Sequence, residues 1–280
     1  MSQFPRTQIE NLSVPRMIIG TNWFLGFSHT SAAQSNFIKQ RQGRKQIADV
    51  MEVFFEVGIN ATLGGQPYDT HFVEAVQDVQ DRTGQKCIWI GTPSFNLAGT
   101  PEAHDENMRT LDAFAEKGCT ICGPHQSTTD ALLDRRARCI RDIDPITQAI
   151  RDRGMIPFLS THMPETPIYA DETGVDVATY IQIYNAAQFL MQIEIDWVHR
   201  MIWKRKKPVI TIKPLAAGRL PPLVGLAFAW STIREQDMVC IGCLTPDEAK
   251  EVIEISFAQL ERRAPEIQLQ TTRSKASVTE

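Results

Sequence analysis

The chain is 280 residues long, 42% hydrophobic and 22% charged, with a formal net charge of -4. Such a balance describes an ordinary globular protein and carries no footprint of a nucleic-acid binder or of a protein held on an acidic membrane. No apolar run approaches the ~20 residues that span a bilayer, and the opening Met1-Ser2-Gln3-Phe4-Pro5-Arg6 lacks a signal-peptide core, so a cytoplasmic location with six reduced cysteines is expected.

In chain order, residues 1 to 15 read as an irregular lead-in. After them a short apolar run followed by a longer helical pattern repeats eight times. The runs are Met17–Ile19, Ile59–Thr62, Cys87–Ile90, Cys119–Cys122, Met155–Leu159, Tyr180–Tyr184, Pro208–Ile212 and Met238–Ile241. Near-continuous apolar character marks strands covered on both faces, by helices outside and a barrel core inside. Eight such units predict an α/β fold, a single (β/α)8 TIM barrel over residues 1–263, followed by a polar tail, 264–280, whose composition suits disorder.

Helix signals fall between the runs. Helices are expected over Gln46–Val57, stopped by Gly58; after Asp69-Thr70; from Thr100-Pro101-Glu102; and from Asp144-Pro145 to Arg153, before Gly154. Others begin near Pro164-Glu165, span about residues 186–206, cover Pro222–Ile233, and start at Thr245-Pro246-Asp247-Glu248. In the last, threonine caps and the acids meet the positive helix end. The basic run Lys204-Arg205-Lys206-Lys207 closes the sixth helix and complements its dipole. Trp197, Met201 and Trp203 make that helix unusually apolar, so it is expected to pack on its own barrel or against a second copy of the chain. Glu194 and Asp196 lie two apart in it and so do not share a face.

Two Cys-x-x-Cys pairs, Cys119 with Cys122 and Cys240 with Cys243, fall on or beside strands. Residues three apart on a strand point to opposite faces, which favours core packing over metal binding. The segment Thr21 to Arg44 reads as a long loop carrying Trp23, Phe24 and Phe27, either a binding lid or a plug over the barrel. Polar residues gather where strands end, the catalytic face of this architecture: Asn22, His29, Tyr68, His125, His162, Asn185 and Lys213. His125 and His162 suit an acid–base pair or two metal ligands. Lys213 suits a Schiff base or enolate protonation, or an ion pair with Glu194 or Asp196.

Several strand ends resemble those of the aldo-keto reductase superfamily. The similar segments are Arg16-Met17-Ile18-Ile19-Gly20-Thr21-Asn22, Gly58-Ile59-Asn60, Tyr180-Ile181-Gln182-Ile183-Tyr184-Asn185, Lys213-Pro214-Leu215-Ala216-Ala217-Gly218-Arg219-Leu220, Ala227-Phe228-Ala229-Trp230 and Ile241-Gly242 followed by Thr245-Pro246-Asp247-Glu248. The resemblance implies carbonyl reduction with a nicotinamide cofactor, NAD(P), using an aspartate, tyrosine, lysine and histidine. Tyr68 would stand as proton donor and His125 as the residue orienting the carbonyl; Leu63 falls at the aspartate position and Pro93 at the lysine position. The resemblance places Ser160, Thr161 and Gln182 against the nicotinamide amide and Ile212 where an aromatic ring would stack, and the segment after Gly242 lacks an obvious Lys or Arg for a 2′-phosphate. Asn22, Trp23, His29 and Asn185 are the expected substrate contacts.

Three readings follow. The first is a reductase-like enzyme acting on a small carbonyl or sugar-like substrate. The second is a cofactor-free or divalent-metal-dependent lyase or isomerase that removes a proton beside a carbonyl. The third is a binding protein on a decayed enzyme scaffold.

Overall fold

The structure is a computed structural model that describes residues 3–270, 272, 275 and 278. Its elements run β1 Arg6–Ile9, β2 Leu12–Pro15, β3 Met17–Gly20, α1 Asn22–Leu25, α2 Ala32–Arg41, α3 Arg44–Glu56, β4 Ala61–Leu63, α4 Thr70–Thr83, β5 Ile88–Gly91, α5 Pro101–Glu116 and β6 Ile121–Cys122. They continue α6 Gln126–Leu132, β7 Leu133–Asp134, β8 Cys139–Ile140, α7 Ile143–Arg151, β9 Ile156–Thr161, α8 Glu165–Thr173, β10 Thr179–Ile183, α9 Ile195–Trp203, β11 Val209–Ile212, α10 Pro222–Thr232, β12 Met238–Ile241 and α11 Pro246–Glu261.

β3, β4, β5, β6, β9, β10, β11 and β12 close into one parallel barrel in that order. The register runs through Ile19 beside Thr62, Ile90 beside Ile121, Ile181 beside Ile210 and Cys240 beside Ile18. Alternation divides the apolar residues into two layers. Ile18, Ile90, Ile121, Phe158, Ile181, Ile210 and Met238 fill the barrel, while Met17, Ile19, Leu159, Tyr180, Val209 and Val239 meet the helices. This is the expected (β/α)8 architecture. Among the described residues no helix is long and apolar enough to cross a membrane.

The lead-in is not irregular. β1 and β2 form an antiparallel hairpin, and its Ile9 and Val14 join the cluster inside the barrel. Arg6 donates to the Gly58 carbonyl and Thr7 to the Gln236 carbonyl, so the hairpin lies across the ends where strands begin. Its four-residue strands are too short to show a clear period. The long first loop likewise holds α1 and α2. α2 starts at Ser31, whose hydroxyl accepts from the Gln34 N–H.

The sixth helix is shorter than expected: residues 186–194 form turns, and α9 begins at Ile195. Asn185 explains this. Its Oδ1 accepts the Phe189 N–H at 2.9 Å and its Nδ2 donates to the Phe189 carbonyl at 3.1 Å, while Gln188 and Leu190 take left-handed φ values of +55° and +58°. α9 buries Val198, Met201 and Ile202 and leaves Trp197 57% and Trp203 53% exposed. The fourth strand run shrinks to Ile121–Cys122. Cys119 therefore precedes the strand, so alternation does not separate it from Cys122; its thiol donates to the Ile121 carbonyl at 3.2 Å, and both cysteines pack in one cluster with Trp89 and Phe114. The tail from residue 264 is irregular as far as it is described, with Ile267 packed on the core; residues 271, 273–274, 276–277 and 279–280 lie outside the described residues.

Candidate active site

The mouth at the strand ends opens into a cavity of about 1080 Å³. His29, His125, His162 and Lys213 line it, as does the bare backbone of Gly20 and Gly242, beside Trp23. A Cβ on Gly242 would fall 2.8 Å from the Trp23 ring and 3.1 Å from the Gly20 carbonyl, so those two strand ends touch through glycine alone.

Lys213 enters the cavity by leaving the strand. Ile212 faces it from β11, and a continuing strand would turn the next residue away. Lys213 instead has φ +61°, and both residues line the cavity. His29, on the opposite loop, also has φ +57°, and its Nε2 lies 3.3 Å from Lys213 Nζ. Left-handed backbone at two non-glycine residues that meet across a cavity is the kind of local cost found at functional sites.

Hydrogen bonds fix two of the imidazole tautomers. His29 Nδ1 lies 3.0 Å from the Phe27 carbonyl, which can only accept, so Nδ1 carries the proton and Nε2 presents a lone pair to Lys213. His125 does the reverse. Its Nδ1 accepts the Ser127 N–H at 3.3 Å and contacts the Ser127 hydroxyl at 2.8 Å, leaving Nε2–H as donor. His162 is placed through its backbone: its N–H donates to Asp130 Oδ2 at 3.2 Å, and Asp130 also receives the Thr161 hydroxyl.

Each of these groups is pushed toward its neutral form. Burial and Lys213 lower His125; burial, Lys213, His125 and His29 bring His162 down to about 4. Burial, then Lys213, lowers His29. Burial lowers Lys213, and it makes no ion pair among the described residues, Glu194 and Asp196 included. Neutral imidazoles at working pH are the form in which one can donate while another accepts.

The linkage has a sign. The unfolded His162 titrates at the ordinary 6.5 and the folded one near 4, so between those values the unfolded chain binds more protons. Folding stability is expected to fall as pH drops from about 6.5 toward 4, and the His162→Gln variant to flatten that slope, measured by urea unfolding across the range. Asp130, whose carboxyl burial pushes up, works in the opposite sense at the acid end. An unchanged slope in the variant would show His162 to be freely hydrated.

The other expected site residues divide. Asn22, Trp23 and Ser160 line the cavity, and Ser160 faces it from β9 in step with Phe158. Tyr68 does not line it; it sits 69% exposed in the turn before α4. Gln182 is buried on the outer face of β10, its Nε2 near the Ile183 carbonyl at 3.4 Å, because alternation points Ile181 inward. Thr161 is committed to the Asp130 link, and Asn185 to its loop. Leu63 and Ile212 line the cavity, and Pro93 is buried beside it, with its carbonyl accepting the His125 N–H at 2.8 Å.

Sequence reasoning missed Asp130 and Arg219. Asp130 lies on α6 in an excursion that also carries the β7–β8 hairpin, and nothing in a Thr-Thr-Asp triplet signals its reach to β9. Arg219 lines the cavity with its guanidinium 4.0 Å over the Phe189 ring, a contact between two loops remote in sequence.

No protein-family model and no curated protein sequence matches the chain. Solved structures do. A presumed aldo-keto reductase from Pseudomonas aeruginosa superposes with a TM-score of 0.64 at 14% identity, over 91% of this chain and 94% of that one. A silkworm aldo-keto reductase solved with NADPH gives 0.57 at 10%, over 99% and 87%. A phospho-2-dehydro-3-deoxyheptonate aldolase from Thermotoga maritima gives 0.54 at 10%, over 93% and 73%. The chain thus has the barrel fold of these structures, with Tyr68 outside its cavity and Leu63 lining it.

Proposed function

We propose that this chain is a barrel enzyme that acts on a small carbonyl compound by acid–base catalysis, removing a proton from the carbon beside the carbonyl in a lyase or isomerase reaction. One observation carries the reading: His29, His125, His162 and Lys213 converge on one cavity while Tyr68 stands outside it. His125 Nε2–H donates to the carbonyl oxygen as that oxygen gains electrons, and neutral His162 takes the proton. Asn22 and Trp23 contact the rest of the substrate.

Hydride transfer from a nicotinamide dinucleotide is the second reading. The Gly20–Gly242 wall and the NADPH-bound structural neighbour favour it. Of the residues expected to hold the nicotinamide amide, however, only Ser160 faces the cavity, and the residues after Gly242 that line it include Glu248 and Glu251 and no cation. The residues present do not fit NADP held in the reductase manner.

The test is deuterium exchange beside the carbonyl, followed by NMR in heavy water over a panel of small ketones and aldehydes. Exchange that falls at least ~100-fold in His125→Gln is expected, the usual scale for one acid–base group. Tyr68→Phe should stay within twofold of the parent, as suits an exposed side chain outside the cavity. A panel without exchange, together with thermal stabilisation by NADH or NADPH at saturating concentration, would move the assignment to hydride transfer. A ligand at ~100 times its Kd adds about 2.7 kcal/mol.

A further inference from the structure

We propose that Lys213 is a covalent nucleophile that forms an iminium with the carbonyl carbon of the substrate; this rests on the carbonyl-enzyme reading of the same cavity. The geometry points there in three ways. Lys213 Nζ lines the cavity without a carboxylate partner among the described residues, so nothing holds it as a permanent ammonium. Its Nζ lies 3.3 Å from the proton-free Nε2 of His29, which the Phe27 carbonyl orients to accept rather than donate. And the backbone is turned left-handed at both residues to bring them together. A lysine kept only for its charge gains from a nearby acid; a buried lysine facing a lone pair has an acceptor for its proton. Burial also lowers Lys213, in the direction a nucleophile requires.

The step balances. The Lys213 ammonium gives one proton to His29 Nε2, and the freed lone pair attacks the carbonyl carbon. A C–N bond forms and the carbonyl π electrons move to oxygen, which is held by a hydrogen bond from His125 Nε2–H and takes the second proton shed by the now cationic nitrogen. The resulting carbinolamine loses its hydroxyl as water after the proton held by His29 reaches it. The nitrogen lone pair closes the C=N bond, and the remaining N–H proton stays on the iminium. The sum is ammonium plus carbonyl giving iminium plus water, with one positive charge on each side; His125 keeps its proton and lends only a hydrogen bond. The iminium then acidifies the neighbouring C–H more than the neutral carbonyl does, which suits His162 as its base.

The experiment treats the whole chain with pyruvate, glycolaldehyde or dihydroxyacetone in the presence of sodium borohydride, which delivers hydride to the C=N carbon and fixes the adduct as a secondary amine. Intact mass and peptide mapping then locate it. One adduct per chain on Lys213 is expected with at least one probe. It should be lost in Lys213→Met and Lys213→Arg, slowed about tenfold in His29→Gln, and unchanged in Tyr68→Phe; thermal unfolding establishes that each variant is folded. Labelling spread over surface lysines, equal labelling in Lys213→Met, or no adduct with any probe overturns the proposal. Deuterium exchange measured without borohydride separates the two claims. Exchange without an adduct leaves the acid–base reading standing and removes the iminium, whereas absence of both removes the site reading itself.

Discussion

The Asp237→Ala variant is expected to lose about 3–5 kcal/mol of stability, the scale for removing one partner of a buried ion pair. Asp237 is fully buried, and its carboxylate accepts from the Val209 N–H at 2.9 Å, the Arg234 N–H at 3.0 Å, and Arg234 Nε and Nη2 at 2.8 and 2.6 Å. Arg234 in turn donates to the Lys207 carbonyl, and Arg16 donates to the carbonyls of Asp237 and Arg234. The network ties the starts of β3, β11 and β12 together. Alanine leaves the Arg234 guanidinium, itself only 12% exposed, with no counter-charge, and the β11 N–H without an acceptor. Urea unfolding measures the loss; Asp237→Asn should recover part of it by keeping an acceptor. A loss under ~1 kcal/mol in the alanine variant would mean that water enters and solvates Arg234. The network lies at the end of the barrel away from His125 and Lys213, so the surviving folded fraction should keep its ligand affinity.

Gly123→Ala is expected to cost about 3 kcal/mol, at the upper end for overpacking. A Cβ there would sit 2.1 Å from the Phe158 carbonyl oxygen and 2.8 Å from its carbon. Neither atom can swing aside as the end of a side chain would, so β6 and β9 must separate. Because Pro124 and His125 follow directly, the same shift moves the His125 imidazole, and proton exchange should fall further than stability alone explains. Gly84→Ala is the control: its φ is +69° with nothing within 4 Å, so only backbone strain of about 1–2 kcal/mol applies. Equal losses in the two variants would refute the steric argument.

The barrel was legible because its strands are buried on both sides, and continuous apolar runs survive any error of one or two residues at their ends. The helix starts at Thr100-Pro101 and Thr245-Pro246 were legible because a cap hydroxyl and a first-turn proline act locally; both threonines accept the expected N–H groups, from Ala103 and Glu248. The hairpin β1–β2 and the break at Asn185 were not legible. The first depends on a barrel that closes only with residue 241, and the second on one side chain folding back on Phe189. Within the site, residues just past a strand end, such as His125, His162 and Lys213, could be read from position. Gln182 could not, because which face of β10 it takes is decided by pairing with β9 and β11. Tyr68 matched a pattern in sequence but not in space.

The hairpin has a consequence for traffic. With Ile9 and Val14 closing the end of the barrel where strands begin, the cavity opens among the described residues at the strand ends, a mouth that substrate and product would share under the proposed function. Visits must then take turns: a product that lingers excludes the next substrate. On the proposed carbonyl chemistry, inhibition by product should accordingly be competitive, and Asn22, Trp23 and Leu25 of α1 line the way in and out.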